Sequence, residues 1–544
     1  MIFLALENRS DHVIPGASGK DHARPMVWQK SFRTLSFAIL PFLMVACQSN
    51  VEKAQQYASK AQGLSDAGDV RGALEAINNA LALRDDRPEY FLLLGSIKLR
   101  AGDVGGAYDA FKRAVELDST NVQALSYVAN LGLQLGQAAD AGDAADRLLA
   151  LDPNTLVALQ VKGLIALNNE HYDEANAFAD KMLAISPSDE AGTIVRVRAL
   201  AKSGNYQQAS EQLGKAMLVV GKSPALLITK LNFHRIQKQP DQMLAVLDEL
   251  ITGSKNPSPA LEMDRILILY KLGKTERARQ LALDFMAKGA PNADYYRTIR
   301  QIWQEYDAQP VTVSTLTEER DWSDPLAVNA VGRYLLWQGQ PQTAAALVAK
   351  VKPELQATNM SIAARAQDAL GKSVQARQSV AAILKTAPDD VDALILHAQF
   401  EQKDGHANAA LEAGQKAISV DPLDPEAYVV LAALNKAGGQ NWRARQVFED
   451  GIKQLPQDFL LIEKYTQFLH LLGDKDRAVS VARSFARAMP SSVKAWMIYL
   501  AECRLIDDAA CIADAEKGRQ SAQSIFRVDP APGVRTDRGL LGEF

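Results

Sequence analysis

The stretch PEAYVVLAALNKAGGQNWRARQVFEDGIKQLP, residues 425–456, contains the pattern that decides the fold. Small residues at Ala432 and Ala444 predict that two antiparallel helices approach each other closely. The large side chain of Phe448 is predicted to fill the space between neighbouring helix pairs. Pro456 ends the second helix, because proline cannot continue one. The stretch therefore predicts one helix-turn-helix unit.

The same features recur every 34 residues along most of the chain. The recurring positions are the alanines Ala73, Ala107, Ala141, Ala175, Ala209, Ala376, Ala410, Ala444 and Ala478, the glycines Gly68, Gly102, Gly136, Gly371, Gly405, Gly439 and Gly473, and the prolines Pro388, Pro422, Pro456 and Pro490. A fixed period of this kind indicates stacked copies of one supersecondary unit, in which each copy contacts mainly its neighbours.

The unit resembles the tetratricopeptide repeat, whose pattern is W-x2-L-G-x2-Y, then A-x3-F, then P. The stretch quoted above fits this pattern, and so does an earlier one, Phe91-x2-Leu94-Gly95 followed by Ala107-x3-Phe111. The resemblance covers residues 55–520. It implies an all-α solenoid, a right-handed superhelix of about 13 helix-turn-helix repeats.

The pattern weakens in the middle of the chain, and this sets the predicted domain boundaries. Residues 307–325 carry no amphipathic period, which predicts an irregular joint where a solenoid can bend. We therefore predict an N-terminal array over residues 47–306 and a C-terminal array over residues 326–528. A tail with proline and glycine follows at residues 529–544.

Two cysteines lie close together near the end of the predicted C-terminal array. Cys503 and Cys511 stand four residues either side of Asp507, in the middle of the predicted last turn. An antiparallel helix pair lets them face each other, which predicts a disulfide in an oxidising compartment. Two buried, unpaired thiols are the alternative.

An apolar stretch at residues 35–46 follows Lys30 and Arg33 and directly precedes Cys47. It is too short to span a bilayer, and its pattern is that of a secretory signal peptide. Residues 43–47, LMVAC, resemble the lipobox of bacterial lipoproteins, which implies a Gram-negative lipoprotein with a lipid on Cys47. An unmodified cysteine after an ordinary signal, or a buried apolar segment, is the alternative.

Residues 1–25 carry acidic side chains and no signal pattern. A start at Met26 gives a signal peptide of residues 26–46, which has the usual length. We therefore predict that residues 1–25 are an over-extended, disordered start. Gln48 is not aspartate, and by resemblance to lipoprotein sorting this implies the outer membrane, facing the periplasm.

Composition argues against several functional classes. The chain has 60 Lys+Arg against 64 Asp+Glu and no long run of like charges, so no nucleic-acid partner is expected. Its 7 histidines and 3 cysteines offer little for a metal site, and we predict no metal, cofactor or catalytic residue. The sequence Ala366-x4-Gly371-Lys372-Ser373 approaches a phosphate-binding loop, but it falls in a repeat turn and follows no strand.

A binding surface is the remaining candidate for the functional site. In the resembling family the first helix of each repeat lines a concave groove, which implies that polar residues there hold an extended peptide or a partner helix. The corresponding positions are Asn130, Gln134 and Asn168 in the N-terminal array, and Gln399, Lys403 and Gln467 in the C-terminal array. Ordinary solvated side chains are the alternative, because fold alone does not establish function.

The sequence thus favours a non-catalytic scaffold that binds protein or peptide partners in the periplasm and reaches the membrane through Cys47. The resemblance implies that it assists a cell-envelope machine, either pilus or secretion apparatus or exopolysaccharide assembly. One alternative is an enzyme subunit or regulatory partner, with chemistry supplied by another chain or by the acidic cluster Glu318, Glu319, Asp321 and Asp324. Another is a soluble co-chaperone, which the signal peptide and Cys47 oppose.

Overall fold

The computed structural model of the protein describes residues 49–290, 292–307, 311–312, 315–316 and 320–529. The predicted start, the predicted signal peptide, Cys47 and Gln48 lie outside these residues, as does the predicted tail beyond Asp529. No helix among the described residues is long and apolar enough to cross a membrane.

The bounds of 28 helices lie within the described residues, and none of those residues forms a strand. In chain order the helices are α1 Asn50–Asp66, α2 Val70–Leu83, α3 Pro88–Arg100, α4 Val104–Leu117, α5 Val122–Gln134, α6 Ala138–Leu151, α7 Leu156–Asn168, α8 Tyr172–Ile185, α9 Glu190–Lys202, α10 Tyr206–Val219, α11 Pro224–Ile236, α12 Pro240–Thr252, α13 Pro259–Lys271, α14 Thr275–Lys288, α15 Ala293–Tyr306, α16 Pro325–Trp337, α17 Pro341–Lys350, α18 Pro353–Thr358, α19 Met360–Ala369, α20 Ser373–Thr386, α21 Val391–Lys403, α22 Ala407–Val420, α23 Pro425–Ala437, α24 Asn441–Gln454, α25 Phe459–Leu471, α26 Lys475–Ala488, α27 Val493–Leu505 and α28 Ala509–Gln523.

The helices form a row of antiparallel pairs. Pairs run from α1 and α2 to α13 and α14, continue with α16 and α17, and then from α19 and α20 to α27 and α28, while α15 and the short α18 stand outside the pairing. Each helix packs on the next, and the first helices of successive pairs also lie side by side. The all-α repeat solenoid is confirmed.

The turn inside each pair repeats one backbone conformation. Gly136 and Gly204 have φ values of +75° and +83°, a left-handed region that favours glycine. One repeat after each glycine, Glu170 and Lys238 hold φ values of +62° and +54° without being glycine. Stacking of the repeats therefore imposes the turn even where the local residue disfavours it.

Close helix contact rests on the small residues that the sequence singled out. Ala444 is fully buried, and an added Cβ on Gly95 would lie 2.6 Å from the ring of Phe111. Between pairs, the rings of Phe448 and Tyr465 stack with their centroids 5.1 Å apart. These contacts repeat the predicted packing of small residues within a pair and aromatic residues between pairs.

The described residues between α15 and α16 include several buried side chains. Asp307 is buried and accepts hydrogen bonds from Arg279 at 2.6 and 2.8 Å and from the Tyr270 hydroxyl at 2.8 Å. Leu316 and Trp322 join a hydrophobic core that continues from Leu227 to Ala366. The described residues of the predicted joint therefore contribute to a core that also includes residues on both sides of it.

At the far end of the chain, α27 and α28 close the array. The structure joins Cys503 and Cys511 in a disulfide, with their Cα atoms 5.4 Å apart. Asp507, between them, has a φ of +54° and forms the turn. Oxidation of this pair in the cell stays a prediction, because it depends on the compartment.

Candidate functional site: the inner surfaces of the two arrays

The end of the C-terminal array folds back onto α13, through a short segment that we call the C-terminal strap, residues 524–529. The ammonium group of Lys271 donates to the carbonyl oxygens of Ser491, Ala522 and Ile525 at 2.7, 2.9 and 2.7 Å. Two of these carbonyls belong to the end of α28 and to the strap. One side chain of α13 thus ties together three backbone groups near the chain end.

Further contacts hold the strap in place. The backbone N–H of Val528 donates to Asp264 at 2.9 Å, and the Ser491 hydroxyl donates to Asp529 at 2.8 Å. Burial raises the pKa of Asp529 to about 6, although the Ser491 donors favour its charged form. Burial also lowers the pKa of Lys271 to about 8. Both groups are therefore partly withdrawn from water at this contact.

Helix α15 contacts the C-terminal array near the starts of α25 and α27. Gln301 donates to the carbonyl of Gln457 at 3.0 Å, and the backbone N–H of Lys494 donates to Glu305 at 3.2 Å. Together with the strap, these contacts close the chain from α13 to α28 into a ring. We call all of these hydrogen bonds the closing contacts.

Inside the ring, arginines of the inner helices bind carboxylates of later repeats. Arg333 donates to Asp392 at 2.9 and 3.1 Å and also bonds Asp424, while Arg365 bonds Asp392 and Glu426. Burial opposes ionisation of Asp392, but the two guanidinium groups outweigh it and hold its pKa well below its usual range. The buried arginines and carboxylates thus form ion pairs with each other within the chain.

A small cavity of about 160 Å³ remains beside this cluster. Arg300, Arg333, Arg365, Glu426 and Asp458 are among the residues that line it. The polar groups on this part of the inner surface mainly contact other parts of the same chain. It therefore offers little room for a partner.

The predicted groove residues of the C-terminal array lie on its first helices, Gln399 and Lys403 on α21 and Gln467 on α25. Gln399 is half-buried, whereas Lys403 and Gln467 are exposed. The ammonium group of Lys403 lies 3.6 Å from Asp368 and over the ring of Phe400. The structure leaves these residues accessible in part, and their role in binding stays a prediction.

The N-terminal array has an open inner surface with a larger cavity of about 610 Å³, which we call the N-terminal cavity. It lies between the first helices α7, α9 and α11 and the turns that precede them. Its lining is Gln160, Leu164, Ser186, Ser188, Asp189, Glu190, Ala191, Ile194, Val195, Arg198, Val220 and Ala225. Half of these residues are apolar and half are polar or charged, and a cavity of this size suits a side chain or a short segment of a ligand.

The predicted residues of the N-terminal array lie on the first helices α5 and α7. Asn130, Gln134 and Asn168 are exposed, and none of them belongs to its lining. The residues that the sequence analysis missed lie in the same repeat slot, because Leu164 and Arg198 follow Asn130 at steps of one and two periods. The period therefore pointed to these positions, but selecting only polar amides overlooked an apolar residue and a cation.

Arg198 is the cation in the wall of the N-terminal cavity. Burial lowers its pKa to about 10, although part of the side chain remains exposed. Asp189 and Glu190 stand at the rim, where Asp189 accepts from the N–H of Gly192 at 2.6 Å and Glu190 accepts from the Ser223 hydroxyl. The cavity thus combines apolar walls with one partly desolvated guanidinium group.

The described residues show no arrangement for metal binding, since no group of three or more histidine, cysteine or carboxylate side chains could hold an ion. Gly371, in the motif that approaches a phosphate-binding loop, has a φ of +77° in the turn between α19 and α20. It therefore performs the same turn as the other repeat glycines.

The acidic cluster proposed as an alternative catalytic site is only partly described. Asp324 caps α16 and accepts from the Tyr296 hydroxyl, and Asp321 pairs with Lys352 at 2.8 Å. Glu318 and Glu319 lie outside the described residues. The two described carboxylates therefore have structural partners.

Comparison with known proteins agrees with this architecture. Residues 59–122 and 99–155 match the family described as "Tetratricopeptide repeat". The family match shows tetratricopeptide repeats over residues 59–155, and the row of helix pairs continues the same architecture through the rest of the described residues. Arrays of this fold bind protein or peptide partners and typically act as non-catalytic scaffolds. A search of curated proteins finds no match.

Several solved structures share parts of the fold. A tetratricopeptide repeat protein from Parabacteroides merdae is 20% identical, covers 45% of this chain and 97% of its own, and has a TM-score of 0.40. PilW, titled a type IV pilus biogenesis factor, is 18% identical over 37% of this chain and 93% of its own, with a TM-score of 0.32. YrrB, titled a TPR protein with an unusual peptide-binding site, is 22% identical over 30% and 84%, with a TM-score of 0.29.

Proposed function

We propose that the protein is a binding scaffold whose N-terminal array holds an extended segment of a partner protein along its inner surface. The N-terminal cavity carries this proposal, since its volume of about 610 Å³ opens between the first helices of neighbouring repeats. The C-terminal ring serves mainly as a rigid base. Its inner arginines already bind carboxylates of the same chain.

We further propose that a lipid on Cys47 anchors the scaffold to the outer membrane, facing the periplasm, where it assists assembly of a pilus or secretion apparatus or of exopolysaccharide. The lipobox-like residues 43–47 and Gln48 support the anchor. Replacing Cys47 with serine should release the protein from the membrane fraction. Retention of the variant in outer-membrane pellets would refute the lipid anchor.

Site-specific photo-crosslinking tests the binding surface. A photoreactive amino acid at Ile194 lies in the N-terminal cavity, one at Gln399 lies in the C-terminal ring, and one at the exposed outer-helix residue Lys215 serves as control. We expect one recurrent partner to be crosslinked from Ile194 and not from Lys215.

Crosslinks that form equally well from Lys215 would place binding on the outer surface and contradict the proposal. Crosslinks from Gln399 alone would move the site to the C-terminal array. Replacing Asn130, Gln134 and Asn168 together with alanine should weaken recovery of the same partner severalfold, since several modest contacts add up. Replacing Gln399, Lys403 and Gln467 in the same way should have a smaller effect.

A further inference from the structure

The small cavity of about 160 Å³ inside the C-terminal ring, which we call the ring cavity, has the size for one small molecule. Its walls come from α15, α16, α19, α23 and the start of α25. One water molecule needs roughly 15 Å³, and drug-sized ligands occupy pockets of about 300 to 1,000 Å³. The ring cavity is therefore too small for a segment of a partner protein but much larger than one water molecule.

Three of the residues that line the ring cavity carry a buried polar atom that makes no hydrogen bond to the described residues. These atoms are Nε of Arg300, Oε1 of Gln304 and Oδ2 of Asp458. The other carboxylate oxygen of Asp458 accepts from the backbone N–H of Leu461 at 3.0 Å, while Oδ2 lies 3.5 Å from a terminal nitrogen of Arg300. Because buried polar groups are normally hydrogen-bonded, a ligand that supplies two donors and one acceptor would be stabilised here.

The charges around the ring cavity favour a neutral ligand. Three guanidinium groups meet four carboxylates in the described part of the ring, with Arg333 beside Asp392 and Asp424, Arg365 beside Asp392 and Glu426, and Arg300 beside Asp458. An anionic ligand would add a charge next to Glu426 and Asp458, and a cationic ligand would add one next to three guanidinium groups. A neutral molecule avoids both costs.

Part of the wall is aromatic and apolar. Trp337 is 44% exposed, and Leu336 and Leu460 also line the ring cavity and are partly exposed. Tyr334 packs against Trp337 with the ring centroids 6.0 Å apart, which restrains the orientation of the indole ring. A sugar ring has apolar C–H faces and a rim of hydroxyl groups, each of which both donates and accepts hydrogen bonds. It therefore fits an aromatic surface that adjoins unpaired donors and acceptors.

We propose that the ring cavity binds one neutral sugar residue. One C–H face of the sugar packs on the indole ring of Trp337. One hydroxyl oxygen accepts from Nε of Arg300, and two hydroxyl groups donate to Oε1 of Gln304 and Oδ2 of Asp458. This site is separate from the N-terminal cavity and goes beyond the proposed binding of a partner protein.

Calorimetric titration of the full chain with neutral monosaccharides tests the proposal. The probes are glucose, galactose, mannose and N-acetylglucosamine, and we expect at least one of them to bind with a Kd of about 1 mM or lower. The uronate and amino forms of the best-bound sugar should bind at least about tenfold more weakly, because each adds a net charge to paired ions. Propionamide, a neutral amide with two donors and one acceptor, should also bind more weakly, since it has no ring to pack on Trp337.

Two variants with matched controls locate the site. Trp337→Ala should weaken binding of the best-bound sugar at least about fivefold, and Trp337→Phe should keep part of the affinity. Gln304→Leu removes one unpaired acceptor without breaking an ion pair and should weaken binding about threefold to tenfold. Trp442→Ala and Gln378→Leu change exposed side chains of the outer helices α24 and α20 and should leave binding unchanged. Circular dichroism melts check that each variant is folded.

Several outcomes would overturn the proposal. If no neutral sugar binds in a saturable way up to about 10 mM, the ring cavity holds only solvent and the proposal fails. Propionamide or a charged sugar that binds as tightly as every neutral sugar would contradict a sugar-specific, neutral site. Sugar binding that is unchanged in folded Trp337→Ala and in folded Gln304→Leu would place the sugar elsewhere on the protein.

Discussion

The N-terminal array and the C-terminal ring are built from the same 34-residue period but present different inner surfaces. In the N-terminal array the slot of Asn130 continues as Leu164 and Arg198, and a cavity of about 610 Å³ stays open. In the ring, Arg333 and Arg365 reach across the interior to carboxylates 59, 91, 27 and 61 residues away. The inner surface of a repeat array can therefore stay open to a partner or be filled by contacts within the chain. A few long polar side chains decide which of the two occurs.

Removing the central arginine of the ring should have the largest effect. Arg333→Met leaves the buried carboxylates Asp392 and Asp424 without their main cation, at a cost of about 3 to 5 kcal/mol. We expect urea unfolding to show a destabilised C-terminal transition, while hydrogen exchange in α1 to α8 stays unchanged because repeats contact mainly their neighbours.

Arg113→Met is the matched control in the N-terminal array. Arg113 pairs with Glu116, and both side chains are about half exposed, so its loss should cost less than about 1 kcal/mol. Equal destabilisation by the two substitutions would show that the buried ion pairs of the ring contribute no more to stability than an exposed pair. It would contradict the proposed difference between the two arrays.

A smaller loss is expected at the strap. Lys271→Met removes one donor from three carbonyl oxygens but also removes a half-buried charge, so we expect a net cost of about 2 kcal/mol. Small-angle scattering should detect a larger radius of gyration, and amides of residues 522–529 should exchange faster.

The nearby Lys274→Met provides the control for this substitution. Lys274 pairs with Asp241 through two exposed side chains, and its removal should change neither the scattering nor the exchange. An unchanged radius in Lys271→Met would mean that the remaining closing contacts, such as those of Gln301 and Lys494, hold the ring by themselves.

The smallest effect is a dependence of the strap on pH. Asp529 faces Lys271 and Glu305, and burial raises its pKa to about 6 from an ordinary value of 3.8. Its contribution to stability is therefore present below pH 4 and is lost as the pH rises through 6, at up to about 1.4 kcal/mol per pH unit. Lys271 acts in the opposite sense, because its pKa is lowered to about 8, so its contribution is lost as the pH falls through 8.

Melting curves between pH 4 and 7 test this dependence. The wild type should lose stability across this range relative to Asp529→Asn, which cannot ionise. Parallel curves for the two proteins would show that Asp529 stays ionised or that the strap is undocked throughout. The N-terminal cavity should not change with pH for this reason, since Asp529 lies in the C-terminal strap and does not line the cavity.

The groove residues show which features of the candidate site could be predicted from the sequence. The period placed Asn130, Gln134 and Asn168 on the exposed side of the first helices, where the structure has them. It did not reveal the N-terminal cavity, because a cavity depends on the relative positions of three helices and of the turns before them. It also did not show that Arg333 and Arg365 bind carboxylates inside the ring, since several of these partners lie two or three repeats away.

The sequence by itself determined the helix pairs and their stacking, because small residues such as Ala444, the turn glycines and the closing prolines act locally and recur at a fixed step. Only the tertiary structure decided that the second array closes on the first. Lys271 meets backbone carbonyl oxygens up to 254 residues away, and every residue carries such a group, so no pattern of side chains marks it in advance. The closure depends on where the stacked pairs bring α13 and the C-terminal strap relative to each other, which a local sequence pattern does not determine.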